Sequence, residues 1–494
     1  MNLYFRLESK DYIIYLYFLV FSFITLILIS QDSYLHDLYG RTDSAWFFMC
    51  GKAWMNGLTP YVDFSDSKGP LLWLIYGIGY LLSHYNYIGI FWISVVWYSF
   101  IYFYVYKTAY VILNDRRKSI LVAICMTMSF FTFWFHNETR AEDFCLLFMI
   151  ISLYEVCRLL YSPPVLYSQL FYVKKAFFVL GICSSSLFLI KFNIAAMHSI
   201  FVLYTVFWYL KRYKNWLFPI IIFLLGFILI LLPFIVYFLL IGNCGEFFQE
   251  YLLNTFRTVS EGQLSYFHDW LNILADPKRL AFLLFLIIGS IIIRSKLLSH
   301  KLFPAIITLF IFALTVRHSY FLPYYFNICS FLMVFLFIGL VESISRKLGN
   351  MKIIVFSLFI IIGTSLTWLY MYGYPTFFLS NSIDRDHFNN INTIISKKEN
   401  PKILNLFSNE RGYGISSGTL PSGKYWSLQL GAPKEMIKDH VSILKEGKAD
   451  FIYVGDSNDI KEMPLTGYKE VYSWDYRGLK SMLYARKDYS SNKE

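Results

Sequence analysis

Apolar positions in this chain come in long unbroken blocks, with polar residues confined to the gaps. Blocks fall near 12–30, 87–112, 118–135, 143–160, 176–190, 194–210, 215–241, 278–293, 301–316, 320–343 and 352–373. A run such as IIFLLGFILILLPFIVYFLLIG (221–242) exceeds the roughly 20 residues that cross about 30 Å of hydrocarbon. The pattern predicts an all-α polytopic membrane bundle of about eleven transmembrane helices.

Basic clusters lie between these blocks and recur after every second one. They are NDRRK (114–118), the stretch from Arg158 to Lys175, KRYK (211–214), RSKLLSHK (294–301) and RKLGNMK (346–352). Positive charge marks the cytoplasmic side of a membrane protein, so all five are expected there. The shorter segment LLWLIYGIGYLLS (71–83) fits this alternation only if it lies along the outer leaflet without crossing. The N-terminus is then cytoplasmic. The loop 31–86, the short loops near 136–142, 191–193 and 317–319, the segment 242–277 and everything after Tyr374 face outward.

Beyond residue 380 the pattern changes. DRDHFNNINTIISKK reads as an amphipathic helix, ILNLF and FIYVG as buried strands, and YKEVYSW and SMLYARK as two more, with a helix near 433–446. This predicts two parts: a membrane domain over 1–376, with a first external loop at 31–86, and a small extracytoplasmic α/β domain over 377–494. The second part carries no phosphate-loop or dinucleotide motif and reads as a cap or docking surface.

Composition agrees with a membrane setting. Of 494 residues, 57% are hydrophobic, 20% aromatic and 16% charged, with mean hydropathy +0.49. The net charge of +11 does not point to nucleic acid, because the basic residues sit in the short gaps that encode topology. The seven cysteines are scattered through apolar segments and offer no disulfide or zinc framework.

The charges on the expected outer side are the candidate chemistry. Asp37, Asp43, Asp63, Asp66 and Lys68 come from the first loop. Arg140 and Glu142, Lys191, and His318 come from three others. A bundle needs no charges to hold together, so ionisable groups gathered at a membrane interface point to function. A lipid-phosphate sugar donor needs this mixture. Cations hold the phosphate as the sugar–phosphate bond breaks, and a carboxylate takes the proton of the attacking acceptor. No strong general acid is required, because phosphate already leaves readily.

The stretch DSAWFFMCGKAWMNGLTPYVDFSDSKGPLL (43–72) resembles the first external loop of glycosyltransferase family 39, of GT-C fold. That family holds the bacterial relatives of dolichyl-phosphate-mannose protein mannosyltransferases and the lipid A aminoarabinose transferases. Asp43, Gly57, Tyr61, Asp63, Asp66, Lys68 and Pro70 match the family's pattern, and Gly69 stands where the family has proline. RAEDFCLLF (140–148), LIKFN (189–193) and RHSYFLPYY (317–325) resemble later motifs of the family, in the same order along the chain.

The resemblance implies an inverting glycosyltransferase in the cell inner membrane. It would move a sugar from a polyprenyl-phosphate donor to a glycan, lipid or protein acceptor. Asp43 is implied as catalytic base with Asp37 as runner-up, and Lys68, Lys191 and Arg140 as donor-phosphate contacts. Asp63, Asp66, Glu142 and His318 support them. No cofactor is implied, and metal-independent chemistry is expected. Plainer roles stand beside these. Asp43 also suits a helix N-cap, Lys68 an ion pair with Asp63 or Asp66, Arg140 a pair with Glu138 or Glu142, and Lys191 a snorkelling lysine. A flippase of lipid-linked glycans would more often show internal repeats and mid-membrane charges. A glycan polymerase or ligase would carry a large late external loop.

Overall fold

The hydrophobic blocks fold as helices because an apolar segment in lipid must satisfy its backbone internally. A computed structural model describes residues 9–30, 32–34, 43–131, 139–161, 169–213, 215, 217–254, 302–316, 323–348, 382–406, 414, 417–427, 434–455, 463–476 and 479–488. Its first nine helices are α1 (Ser9–Ile29), α2 (Asp43–Met55), α3 (Pro70–Leu82), α4 (Ile88–Leu113), α5 (Arg116–Phe131), α6 (Ala141–Tyr161), α7 (Gln169–Ile190), α8 (Phe192–Leu210) and α9 (Leu217–Leu240). Among the described residues six helices, α1, α4, α6, α7, α8 and α9, are long and apolar enough to cross a membrane. The expected spans at 278–293 and 352–373 lie outside the described residues.

Each of the other expected spans coincides with helix over most of its length, with one correction. The run at 320–343 is not one α-helix. Pro323–Leu332 is wound as a 3-10 helix, and α geometry begins only at Met333. Long 3-10 stretches are uncommon and mark local demands on the backbone. Here the stretch carries Asn327, whose amide binds Asp143 at 2.9 Å, and Ser330, whose carbonyl accepts the Ser129 hydroxyl at 2.8 Å.

α2 and α3 are short apolar helices that pack on each other through glycine. A Cβ on Gly51 would lie 2.4 Å from the Gly77 nitrogen, so the two backbones touch where they cross. α9 faces outward instead, with Leu224, Ile228, Leu232 and Leu239 exposed along its length. Its 24 residues reach about 36 Å, enough for the hydrocarbon layer.

The C-terminal part forms a five-stranded sheet in the order β2-β1-β3-β5-β4, from β1 (Lys402–Leu406), β2 (Leu420–Pro421), β3 (Phe451–Val454), β4 (Tyr468–Tyr476) and β5 (Leu479–Arg486). β1 runs parallel to β2 and β3, and β5 runs antiparallel to β3 and β4. Leu404, Leu406, Ile452 and Val454 face Ile443 and Leu444 of the helix Lys434–Lys445 to make a small core of their own. The strands and helices fall where the sequence pattern put them. β2 was not anticipated, because two residues carry no period.

Candidate active site

The first loop is built on a turn that two residues make possible. Gly57 has φ +85° and Tyr61 φ +66°. Tyr61 accepts this left-handed conformation because its ring is fully buried against Trp73, Phe238 and Phe247. Its hydroxyl donates to the Lys68 carbonyl at 3.0 Å, fixing the far end of the loop. Asp63 closes the turn by accepting the Thr59 N–H at 2.7 Å. Asp66 accepts the Ser67 N–H at 2.6 Å. Both carboxylates therefore shape the loop.

Gly69 explains its own departure from proline. Its N–H donates to the Ile190 carbonyl at 3.0 Å, and a Cβ there would lie 2.0 Å from the Leu189 oxygen. A proline would lose that hydrogen bond and collide with the end of α7. The contact brings together the two segments that carry Lys68 and Lys191, each one residue from the Gly69–Ile190 bond.

The two lysines differ in what they meet. Lys191 Nζ is 2.5 Å from Glu142 Oε1, and both side chains are buried. Among the described residues, Lys68 Nζ meets the Ser67 hydroxyl, at 3.2 Å, and the face of Phe47, at 5.8 Å. The ion pair with Asp63 or Asp66 weighed for Lys68 is not formed, since both carboxylates are turned to backbone N–H groups. Phe47 lies one helical turn after Asp43 on α2, so Lys68 approaches the face of α2 that carries Asp43.

Asp43 opens α2, and Arg140 reaches it from the start of α6, with Nη1 3.9 Å from Asp43 Oδ2. Arg140 thus pairs with Asp43 and not with Glu142, whose partner is Lys191. The Asp43 side chain is 38% exposed while Arg140 is only 10% exposed. Arg140 is held from below. Its N–H donates to Asp143 Oδ2 at 2.9 Å, a reach-back at the start of a helix of the capping-box kind. Asp143 Oδ1 also accepts from Tyr98, at 2.7 Å, and from Asn327. Thr139, just before, is gripped by Asp32 through its N–H at 2.8 Å and by Tyr76 through its carbonyl at 2.7 Å.

The C-terminal part is seated on this loop and on α2. Trp426 stacks on Trp46 with ring centroids 4.8 Å apart. Lys52 Nζ donates to the Gly414 carbonyl at 3.0 Å, where burial pushes the pKa of its ammonium down to about 7. The Ser65 N–H donates to the Lys424 carbonyl at 2.9 Å.

Asp43, Lys68, Arg140, Glu142 and Lys191, which come from three separate stretches of sequence, are therefore gathered at one end of the bundle. Asp37, Glu138, Arg317 and His318 lie outside the described residues. Sequence reasoning missed Asn327 and Glu250. An amide inside an otherwise apolar run was the signal for the first. An acid between aromatic residues, in FFQEYLL, was the signal for the second. Chemically, the cluster offers a half-exposed carboxylate beside fixed cations in a setting of low polarity, where such charges act strongly.

No family model matches the sequence, and no curated protein matches it. Among solved structures, ArnT from Cupriavidus metallidurans bound to undecaprenyl phosphate superposes with a TM-score of 0.61 at 11% identity, covering 97% of this chain and 99% of ArnT. ArnT in the apo state gives 0.59 at 10% identity, over 96% and 98% of the two chains. Over nearly its whole length, the chain has the fold of ArnT, the GT-C type implied by its first external loop.

Proposed function

We propose that this protein is an integral-membrane inverting glycosyltransferase that moves one sugar from a polyprenyl-phosphate donor to an acceptor on the extracytoplasmic face. The observation that carries this reading is the meeting of Asp43, Arg140 and Lys68 at one end of an ArnT-type bundle. ArnT itself was crystallised with undecaprenyl phosphate, the kind of lipid those cations suit.

In this reading the acceptor hydroxyl or amine attacks the anomeric carbon from the face opposite the phosphate. The new bond forms as the sugar–phosphate bond breaks. The electron pair goes to the phosphate oxygen, and the acceptor proton goes to Asp43. Arg140 adds positive charge beside Asp43. Lys68, which pairs with no carboxylate among the described residues, holds the departing phosphate. Lys191 stands behind Lys68 with its charge balanced by Glu142, so it orders the pocket more than it draws the phosphate in. Asp37 and His318 remain the runner-up base and a supporting group. Residues 1–376 form the transferase bundle of a plasma-membrane protein with a cytoplasmic N-terminus, and 377–494 an extracytoplasmic cap.

The test is transfer by purified protein from a panel of synthetic polyprenyl-phosphate sugars. The expected result is release of polyprenyl phosphate in step with glycosylated acceptor. Movement of the lipid between leaflets without cleavage of any donor would instead favour a flippase.

A further inference from the structure

Glu250 is a buried carboxylate that the proposed chemistry does not use. It lies in the π-helical turn Phe248–Leu253, a rare backbone form found mostly at functional places. Its oxygens collect groups from three parts of the chain. Lys424 Nζ lies 2.5 Å from Oε1. At Oε2 the Ser65 hydroxyl donates at 3.1 Å, the Tyr425 hydroxyl at 3.2 Å and the Asn254 amide at 3.0 Å. Ser65 belongs to the first loop, and Lys424 and Tyr425 to the C-terminal part. The next residue, Tyr251, packs on Tyr61 with centroids 6.3 Å apart and donates its hydroxyl to the Phe188 carbonyl.

We infer that Glu250 and Lys424 are a positioning pair that sets the donor-phosphate contact at Lys68 from the C-terminal part of the chain. Segment 65–69 is slung between two anchors. At one end Ser65 is bound to Glu250 and to the Lys424 carbonyl. At the other Gly69 is bound to Ile190. Tyr61, wedged by Tyr251, holds the Lys68 carbonyl between them. Neither Glu250 nor Lys424 touches the phosphate in this account, and both act through Lys68. A buried carboxylate that loses its cation keeps its desolvation penalty and seeks new partners, so removing Lys424 loosens the anchor at Ser65. The C-terminal part thus completes the donor site, beyond serving as a cap. The inference rests on the reading of Lys68 as a phosphate contact.

The experiment is equilibrium binding of a sugar-free synthetic polyprenyl phosphate to the full-length protein in detergent. The variants are Lys68→Ala, Lys424→Met, Lys424→Arg, Glu250→Gln and the double variant Lys68→Ala/Lys424→Met. Lys424→Met and Glu250→Gln are each expected to weaken binding by roughly tenfold, and Lys424→Arg by much less. The double variant is expected to bind no more weakly than Lys68→Ala alone, because groups that act through one contact do not add. Full additivity, or wild-type binding by Lys424→Met, overturns the inference while leaving the proposed function in place. A wild-type protein that binds no polyprenyl phosphate overturns both. Should Glu250→Gln fail to fold, Lys424→Met decides, since the Lys424 side chain is 28% exposed and its loss leaves no cavity.

Discussion

Helix α6 has a buried carboxylate near each end, and the two ends are built differently. At its second end Glu155 is matched by Arg158, three residues on in the same helix, and Arg158 lies 4.9 Å from the Tyr172 ring centroid. At its first end Glu142 is matched by Lys191 from beyond α7. Beside it, Arg140 reaches Asp43 on α2, and Asp143 draws in Tyr98 and Asn327. One end takes its ion-pair partner from the next turn of the same helix, so local sequence supplies it. The other end requires five chain segments to arrive together, which carries a large ordering entropy. Charges that need so much structure to bring them together point to chemistry, whereas a pair that closes on itself points to a helix end.

Four substitutions break or sharpen this contrast. Asp43→Asn is expected to have the largest effect, lowering sugar transfer by about two to four orders of magnitude. Asparagine keeps the size and one acceptor oxygen of aspartate at the first residue of α2, so folding and lipid-phosphate binding should stay near wild type. Normal transfer by a folded Asp43→Asn protein would move the base elsewhere. Next in size, Lys191→Met strands Glu142 as a buried charge and should destabilise the protein by about 3–5 kcal/mol. Adding Glu142→Gln should restore most of that in thermal unfolding, and failure to restore it would show that the pair is not the source. Lys68→Ala should leave stability intact and lower turnover by about a hundredfold. Lys68→Arg should keep part of the activity, because guanidinium suits phosphate with a different geometry. The smallest effect belongs to the other end of α6. Lys175 and Lys107 also act on Glu155, so Arg158→Met should cost less than Lys191→Met and leave polyprenyl-phosphate binding unchanged. A large loss of binding there would erase the distinction between the two ends.

Much of the bundle was legible because lipid imposes one rule, an apolar run of helical length, that needs no partner to be read. The short segment α3 was legible for the same reason, since thirteen residues are too few to cross. Lys68 and Asp43 stood out because charge next to hydrocarbon is costly without a purpose. The pairings were not legible. Arg140 has an acid two residues away in sequence, Glu142, which turns to Lys191 instead, and α2 brings Asp43 to Arg140 from almost a hundred residues away. Gly69 read only as a departure from the family's proline, and its reason is the Leu189 carbonyl pressed against its Cα. The 3-10 winding at 323–332 was hidden because periodicity cannot separate it from an α-helix when nearly every residue is apolar.

The buried ammonium of Lys52 ties the seat of the C-terminal part to proton concentration. In the seated state its pKa is about 7, whereas a lysine released to water titrates near 10.4. Between these values the free state keeps a proton that the seated state has shed, so seating liberates one. Raising the pH through that window therefore favours the seated form, and below about pH 7 both forms hold the proton and the dependence vanishes. Neutral pH lies at the bottom of the window. The grip of the C-terminal part on α2, and with it the helix that begins at Asp43, is weakest in acid and tightens as the surroundings turn alkaline.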